Sequence, residues 1–237
     1  MCTVSVVPDT HGFRLMSNRD ERRDRAVAFQ PRVETFGSRA VIMPIDPVGG
    51  GSWIGVNDAG LVAALLNRHA APLPDARSVA SRGLVVRGAL ACDSLEAAQA
   101  AVLALDAAAF QPFRLVLAQN RRIAMVAGDG RELAHAESTL EQPYMFTASS
   151  LGDVFVDSPR RRLFDCLMGQ PCGWRDGQLL FHRHQWIDKR DISVLMERED
   201  AATVSRTAVD VTERGITLEY ESLIPCRATQ RVELPPC

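Results

Sequence analysis

Four times along the chain, a short run of β-branched and apolar residues meets a tight turn and is followed by a second such run. CTVSVVP (2–8) passes through Pro8-Asp9-Thr10-His11-Gly12 into residues 13–20, and SWIGVN (52–57) passes through Asp58-Ala59-Gly60 into LVAALLN (61–67). FRLVLAQ (113–119) turns at Asn120-Arg121 into IAMVAGD (123–129), and TVSRTAVDV (203–211) turns at Thr212-Glu213-Arg214-Gly215 into ITLEYES (216–222). Runs joined this closely pair antiparallel, because a parallel return needs a crossover of about a dozen residues.

YMFTASS (144–150) and ISVLMER (192–198) read as further strands, and residues 22–40 as charged and irregular. Helical patterns are grouped between the hairpins. One covers 81–91 behind a Pro/Ala loop at 70–76; a second, AAQAAVLALDAAA, follows Asp93-Ser94-Leu95-Glu96, which has the D-x-x-E form of a capping box. A third, PRRRLFDCLMG (159–169), ends in glycine. No repeat, low-complexity tract or linker divides the chain. The reading is one α+β domain over 1–237, with layered antiparallel sheets covered by helices.

Charge excludes some functions. With 27 Lys and Arg against 29 Asp and Glu, the net charge of -2 offers no basic field to a nucleic acid backbone. No segment approaches the roughly twenty apolar residues of a membrane helix, and the N-terminus lacks the basic and apolar regions of a signal peptide. The six cysteines are scattered, with no CxxC, so a cytoplasmic setting is expected.

The first hairpin carries chemistry. With the turn at 9–12, opposed residue numbers sum to 21, which sets Cys2 across from Arg19, Cβ atoms about 4.5–5.5 Å apart. A one-residue bulge would substitute Asn18 or Asp20. A thiol attacks as its thiolate, and a guanidinium beside it raises the reactive fraction and orients a substrate carbonyl or carboxylate. Removal of Met1 would add an α-amine, titrating near 8, as a local base, which Asp20 could orient. The plainer alternative makes Cys2 a small core residue in phase with Val4 and Val6, and SNRDE a solvated strand end.

The opening Met-Cys-Thr with Asn18-Arg19-Asp20-Glu21 resembles the NRDE family, whose eukaryotic members are the transport-and-Golgi-organisation proteins. It also resembles the wider N-terminal-nucleophile amide hydrolases: choloylglycine hydrolases, penicillin V acylases, acid ceramidase and the acyl-CoA:6-aminopenicillanate acyltransferases. The resemblance implies a four-layer αββα sandwich, in which a mature N-terminal cysteine attacks an amide, flanked by an Arg and an Asp from the second strand. Straight counting from Cys2 assigns those two roles to Asn18 and Glu21; chemistry prefers Arg19 and Asp20. GVNDAGLVAALLNR (55–68) resembles the segment that carries the oxyanion-hole asparagine, here Asn67, in phase with Leu61, Ala63 and Leu65. FTASS (146–150) and SPRRRLFDCL (158–167) look like the acyltransferase Thr-Asn strand end and Ser-x-x-Arg helix start, fitted by Ser158 and Arg161. The asparagine of that pattern is missing after Thr147, where Ala148, Ser149 and Ser150 stand. The tail from 193 to 222 also looks like the closing strands of these families.

The site expected from the resemblance has Cys2, Arg19, Asp20 and Asn67 as catalytic residues, with Asn18, Glu21, Ser149 and Arg161 toward substrate. It implies a non-peptide amide or thioester hydrolase or acyltransferase working through acyl-Cys2 on a small acyl substrate. The alternative is a non-catalytic protein on the same scaffold that binds haem or acyl-CoA and lipid. No cofactor or metal is expected: His182-x-His184 with Cys166 and Cys172 lacks tightly spaced ligand pairs, and FHRHQW reads as a helix or loop with exposed rings. Gly49-Gly50-Gly51-Ser52 lacks a P-loop lysine and reads as a place where a backbone passes close to something. Trp53 reads as core and His69 as a pocket candidate. No Ser/His/Asp order suggests a serine hydrolase.

Overall fold

A computed structural model of the chain describes residues 2–68 and 80–235. His69 and the Pro/Ala loop at 70–76 lie outside the described residues. In chain order the elements are β1 (Cys2–Asp9), β2 (Gly12–Arg22), β3 (Phe29–Phe36), β4 (Arg39–Ile45), β5 (Ile54–Asn57), β6 (Val62–Asn67), α1 (Gly83–Leu90) and α2 (Leu95–Leu103). Then come β7 (Phe113–Gln119), β8 (Arg122–Gly128), β9 (Leu133–Thr139), β10 (Tyr144–Ala148), α3 (Asp153–Leu167), α4 (Trp174–Arg183), β11 (Ala201–Thr212), β12 (Gly215–Ser222) and β13 (Ala228–Leu234).

All four hairpins form, and their strands assemble into two antiparallel sheets. One runs β10-β1-β2-β11-β12-β13 and the other β3-β4-β5-β6-β7-β8-β9. Strand alternation gives each sheet two faces to cover. Between the sheets, Val4, Val6, Phe13, Leu15, Val209 and Leu218 pack with Ile42, Val56, Val62, Ala64, Leu66 and Val116. The other face of the seven-stranded sheet sets Val41, Met43, Leu61, Ala63 and Leu115 against Val85, Val86, Leu90, Ala98 and Val102 of α1 and α2. Outside the six-stranded sheet, Met145 packs with Phe164 of α3, Phe181 of α4 and Val194. The result is the expected helix–sheet–sheet–helix sandwich. Each large aliphatic side chain buried in these layers contributes about 1.5–3 kcal/mol.

The structure departs from the sequence reading in several places. Residues 22–40 are mostly strand: β3 and the start of β4 occupy them. β9 and β13 were also unforeseen, and with β3 they are three of the four sheet edges. Edge strands are polar because one backbone rim and much of both faces meet water; six of the seven β9 residues are exposed. Conversely, 192–198 is no strand. It holds a single bridge, Glu197 to Ala202, and its apolar residues Val194 and Met196 are buried from an irregular path. The N-cap of α2 is Ser94, whose hydroxyl accepts from the Ala97 amide, while Asp93 pairs with Arg39. α3 begins six residues before Pro159 and runs through it. Finally, His182 is fully buried rather than exposed, because α4 turns Gly177, Gln178, Phe181 and His182 onto the sheet at three-to-four-residue spacing.

Candidate active site around Cys2

The β1–β2 register sets Cys2 opposite Arg19, and on its other side β1 sets Cys2 opposite Ala148 of β10. Cys2 continues the Val4 and Val6 face between the sheets and ends at a cavity of about 340 Å³. Five of the eight residues expected at the site line this cavity: Cys2, Arg19, Asp20, Glu21 and Asn67. Leu65 and Asn67 bring the end of β6 into the wall, and the Asn67 side-chain amide has no hydrogen-bond partner among the described residues.

The other three expected residues lie elsewhere. Asn18 is one residue from Arg19, so the pleat sends it behind the sheet. There its Nδ2 donates to the carbonyls of His182 and Val194, both at 2.9 Å. Ser149 is buried at the turn after β10, where its Oγ accepts from the Leu151 amide and from Arg198. Arg161 lies on the outside of α3, donating to the Met145 carbonyl and to Asp157.

The inward arginine of α3 is its neighbour Arg160, 1% exposed. Its Nη1 donates to Thr3 Oγ1 at 2.8 Å and Thr147 Oγ1 at 2.6 Å; its Nε and Nη2 donate to the carbonyls of Ile192 and Ser193. The helical phase marks it once α3 is seen to start at Asp153. Val156, Arg160 and Phe164 form one buried stripe at i, i+4 and i+8.

Charges around the thiol are closely arranged. The Arg19 guanidinium lies 4.1 Å above the Trp53 ring and pairs with Glu21 at 3.3 Å and Asp46 at 3.9 Å. Arg25 shares Asp46 at 2.5 Å. Asp20 accepts from Thr203 at 2.6 Å. Burial pushes the Asp20 carboxyl above its ordinary range, and the Arg160 charge is the strongest opposing influence. Burial likewise raises the Cys2 thiol, with the Asp20 carboxylate adding to it. The terminal ammonium, Arg19 and a hydrogen bond from the Asp20 backbone pull the other way. A thiol in this setting needs a base close by before it can attack.

The glycine run explains one wall. A Cβ on Gly51 would sit 2.3 Å from the Gly83 carbonyl carbon, and one on Gly83 would sit 2.9 Å from the Ser52 nitrogen. The two segments therefore cross backbone to backbone, tied by Ser52 N–H to Gly83 O at 3.2 Å. This crossing brings Ser81, Arg82 and Gly83 to the cavity. Arg25, Asp46, Arg82 and Gln111, all cavity residues, carried no recognisable signal in the sequence.

Behind the sheet, Ser5, His182 and Asn18 form a closed relay. Both Asn18 N–H groups go to carbonyls, so its Oδ1, 2.9 Å from His182 Nδ1, accepts the ring proton. Nε2 is then the acceptor for Ser5 Oγ–H at 2.7 Å, while Gln178 donates to the same hydroxyl. Burial, with the Arg206 and Arg160 charges, lowers the His182 pKa to about 3. All three residues are sealed from solvent. The arrangement copies the shape of a hydrolase triad without any route for substrate.

Among the described residues no group of three or more His, Cys, Asp or Glu side chains could hold a metal ion. No helix among them is long and apolar enough to cross a membrane.

The fold is shared with known enzymes at low sequence identity. Penicillin V acylase from Agrobacterium tumefaciens superposes with a TM-score of 0.64 at 13% identity, over 99% of this chain and 86% of that one. A mutant conjugated bile acid hydrolase from Clostridium perfringens gives 0.58 at 13%, over 99% and 92%. The Caenorhabditis elegans N-acylethanolamine-hydrolyzing acid amidase ortholog gives 0.61 at 11%, over 87% and 92%. These likenesses establish an N-terminal-nucleophile hydrolase fold. No curated protein matches the chain by sequence. The family model for Transport and Golgi organisation 2 matches residues 1–160, and the chain belongs to that family.

Proposed function

We propose that the chain is an N-terminal-cysteine hydrolase or acyltransferase that cleaves a non-peptide amide or a thioester through an acyl-Cys2 intermediate. The observation that carries this reading is the meeting of Cys2, Arg19, Asp20 and Asn67 in one cavity, with Cys2 and Arg19 directly opposed in register. The neighbours named acylase, hydrolase and amidase favour this chemistry on this scaffold.

Removal of Met1 gives Cys2 a free α-amine. The amine accepts the thiol proton, Sγ attacks the carbonyl carbon, and the carbonyl oxygen becomes an oxyanion held by the Asn67 amide and a backbone N–H. Such a donor is worth about 3–4 kcal/mol of barrier. The oxyanion collapses, the C–N or C–S bond breaks, and the ammonium returns its proton to the leaving group. Water, or another acyl acceptor, gives its proton to the amine and attacks the thioester, and Cys2 leaves as the thiol. Arg19 orients the carbonyl, and Asp20 orients the amine. The free state of the five described cysteines suits a reducing, cytoplasmic setting.

The upward push of burial on the thiol favours the second reading, a haem-, acyl-CoA- or lipid-binding protein that uses the same cavity without turnover. Intact mass of the native-start protein, before and after a small acylating probe, separates the two. Loss of Met1 with fast labelling at Cys2, and turnover that Cys2→Ala abolishes while the fold persists, is the expected result. A retained Met1, or activity unchanged in Cys2→Ala, overturns it.

A further inference from the structure

Three guanidiniums reach the cavity, from Arg19, Arg25 and Arg82. Two are answered: Arg19 by Glu21 and Asp46, and Arg25 by Asp46. Arg82 has no carboxylate partner among the described residues. Among the described residues its guanidinium makes one hydrogen bond, from Nη1 to the Pro112 carbonyl at 3.1 Å, which leaves most of its five donors unused by them. It is partly buried, and burial acts on it more strongly than any charge, the charges that act on it being those of Cys2 and Glu21. A cation taken from water without a partner is unfavourable. The fold nevertheless holds it there, through the side-chain-free crossing of Gly51 and Gly83 on one side and the Pro112 bond on the other.

We propose that Arg82 is the anion-recognising residue of this cavity, and that its substrates carry a carboxylate close to the scissile carbonyl. This rests on Cys2 being the nucleophile. A planar guanidinium with a free edge matches a carboxylate through two parallel hydrogen bonds. Arg82 offers one charge without a carboxylate partner among the described residues, so a monoanion fits better than a polyphosphate. The carboxylate can come from either side of the amide: an N-acyl amino acid carries it on the amine, and a dicarboxylic monoamide carries it on the acyl group.

Binding is read first, by thermal shift on Cys2→Ala protein, where no chemistry follows. The probes are N-hexanoylglycine, its methyl ester and adipamic acid. The expected result is that at least one acid binds about tenfold tighter than the neutral ester. Arg82→Gln in the same background removes the preference, and Arg82→Lys restores part of it. The acid that shifts more tells which side of the bond Arg82 serves. Equal binding of acids and ester, or a preference that survives Arg82→Gln, overturns the proposal.

The second readout is the ratio of iodoacetate to iodoacetamide alkylation rates at Cys2 in the otherwise unaltered protein. In each case an S–C bond forms and iodide leaves. The ratio falls about tenfold in Arg82→Gln if Arg82 gathers carboxylates. Both rates falling by one factor would make Arg82 a support for the thiolate and would overturn the assignment. Failure of Cys2 as nucleophile shows differently: no amide is turned over and neither reagent labels Cys2, while the binding arm still reads Arg82.

Discussion

Replacing His182 by glutamine tests the buried relay through pH. His182 is neutral in the folded protein down to about pH 3, whereas an unfolded histidine takes up a proton near 6.5. Above 6.5 neither state is protonated and the group has no pH effect. Below it the unfolded chain binds a proton that the folded chain refuses, so stability falls with acidity at about 1.4 kcal/mol per pH unit. By pH 4.5 the loss is about 3 kcal/mol, and it continues until the folded pKa is reached. Asp20 acts in the opposite sense over part of this range, since burial raises it, but it is common to both proteins and cancels in the difference. Against burial, Asp9 and Asp46 are lowered by their arginine partners, so the stability they contribute starts to fall only below the unfolded carboxylate value of about 4. His182→Gln, which has no proton to gain and whose amide replaces part of the hydrogen bonding, is expected to be less stable than the parent at pH 8 by about 1–3 kcal/mol. The two urea-derived stability curves should then converge as pH drops from 6.5 to 4.5. Parallel curves would refute the argument, since they would mean that His182 is protonated as readily folded as unfolded.

The two arginines of α3 should separate sharply. Arg160→Met removes the donor shared by Thr3 and Thr147 and leaves two buried carbonyls without it, and is expected to cost about 3–5 kcal/mol. Arg161→Met should stay within about 0.5 kcal/mol by the same denaturation assay. Asn67→Ala is expected to leave thermal stability near that of the parent. It should lower the acylation rate, measured by stopped-flow with a chromogenic amide, by about 100- to 1,000-fold; a loss under threefold would remove Asn67 from the oxyanion role.

The sequence exposed what is periodic and local. The Cys2–Arg19 register was legible from turn length to within a one-residue bulge, because a short punctuation between two β-branched runs leaves little freedom in pairing. The choice between Asn18 and Arg19 rested on chemistry in the sequence, and the observed register agrees with it: adjacent residues take opposite faces, and only Arg19 shares one with Cys2. What stayed hidden depended on long-range placement. β3 and β9 are edges whose residues carry no clear apolar–polar alternation, and β13 alternates only over its short Val232–Leu234 end. Arg82 and Asp46 reach the cavity through loops, and nothing in their neighbouring residues announces the meeting. Arg160 lies between: the Val156–Phe164 stripe marks it only with the helix extended back to Asp153, and the Ser-x-x-Arg spacing pointed one residue further on.

β1 lies in the interior of its sheet, hydrogen-bonded to β2 on one side and β10 on the other. During synthesis the first partner emerges at once, and the second only after residue 144. At roughly 5–20 residues per second, on the order of ten seconds separate the two events. In that interval the beginning of the chain is bounded on one side only. Once β10 docks, Cys2 is 6% exposed with a paired strand on each side. If Met1 is removed, as the proposed acyl-Cys2 chemistry requires, the removal is expected to act on the nascent chain, and intact mass of protein refolded with Met1 attached should show it retained.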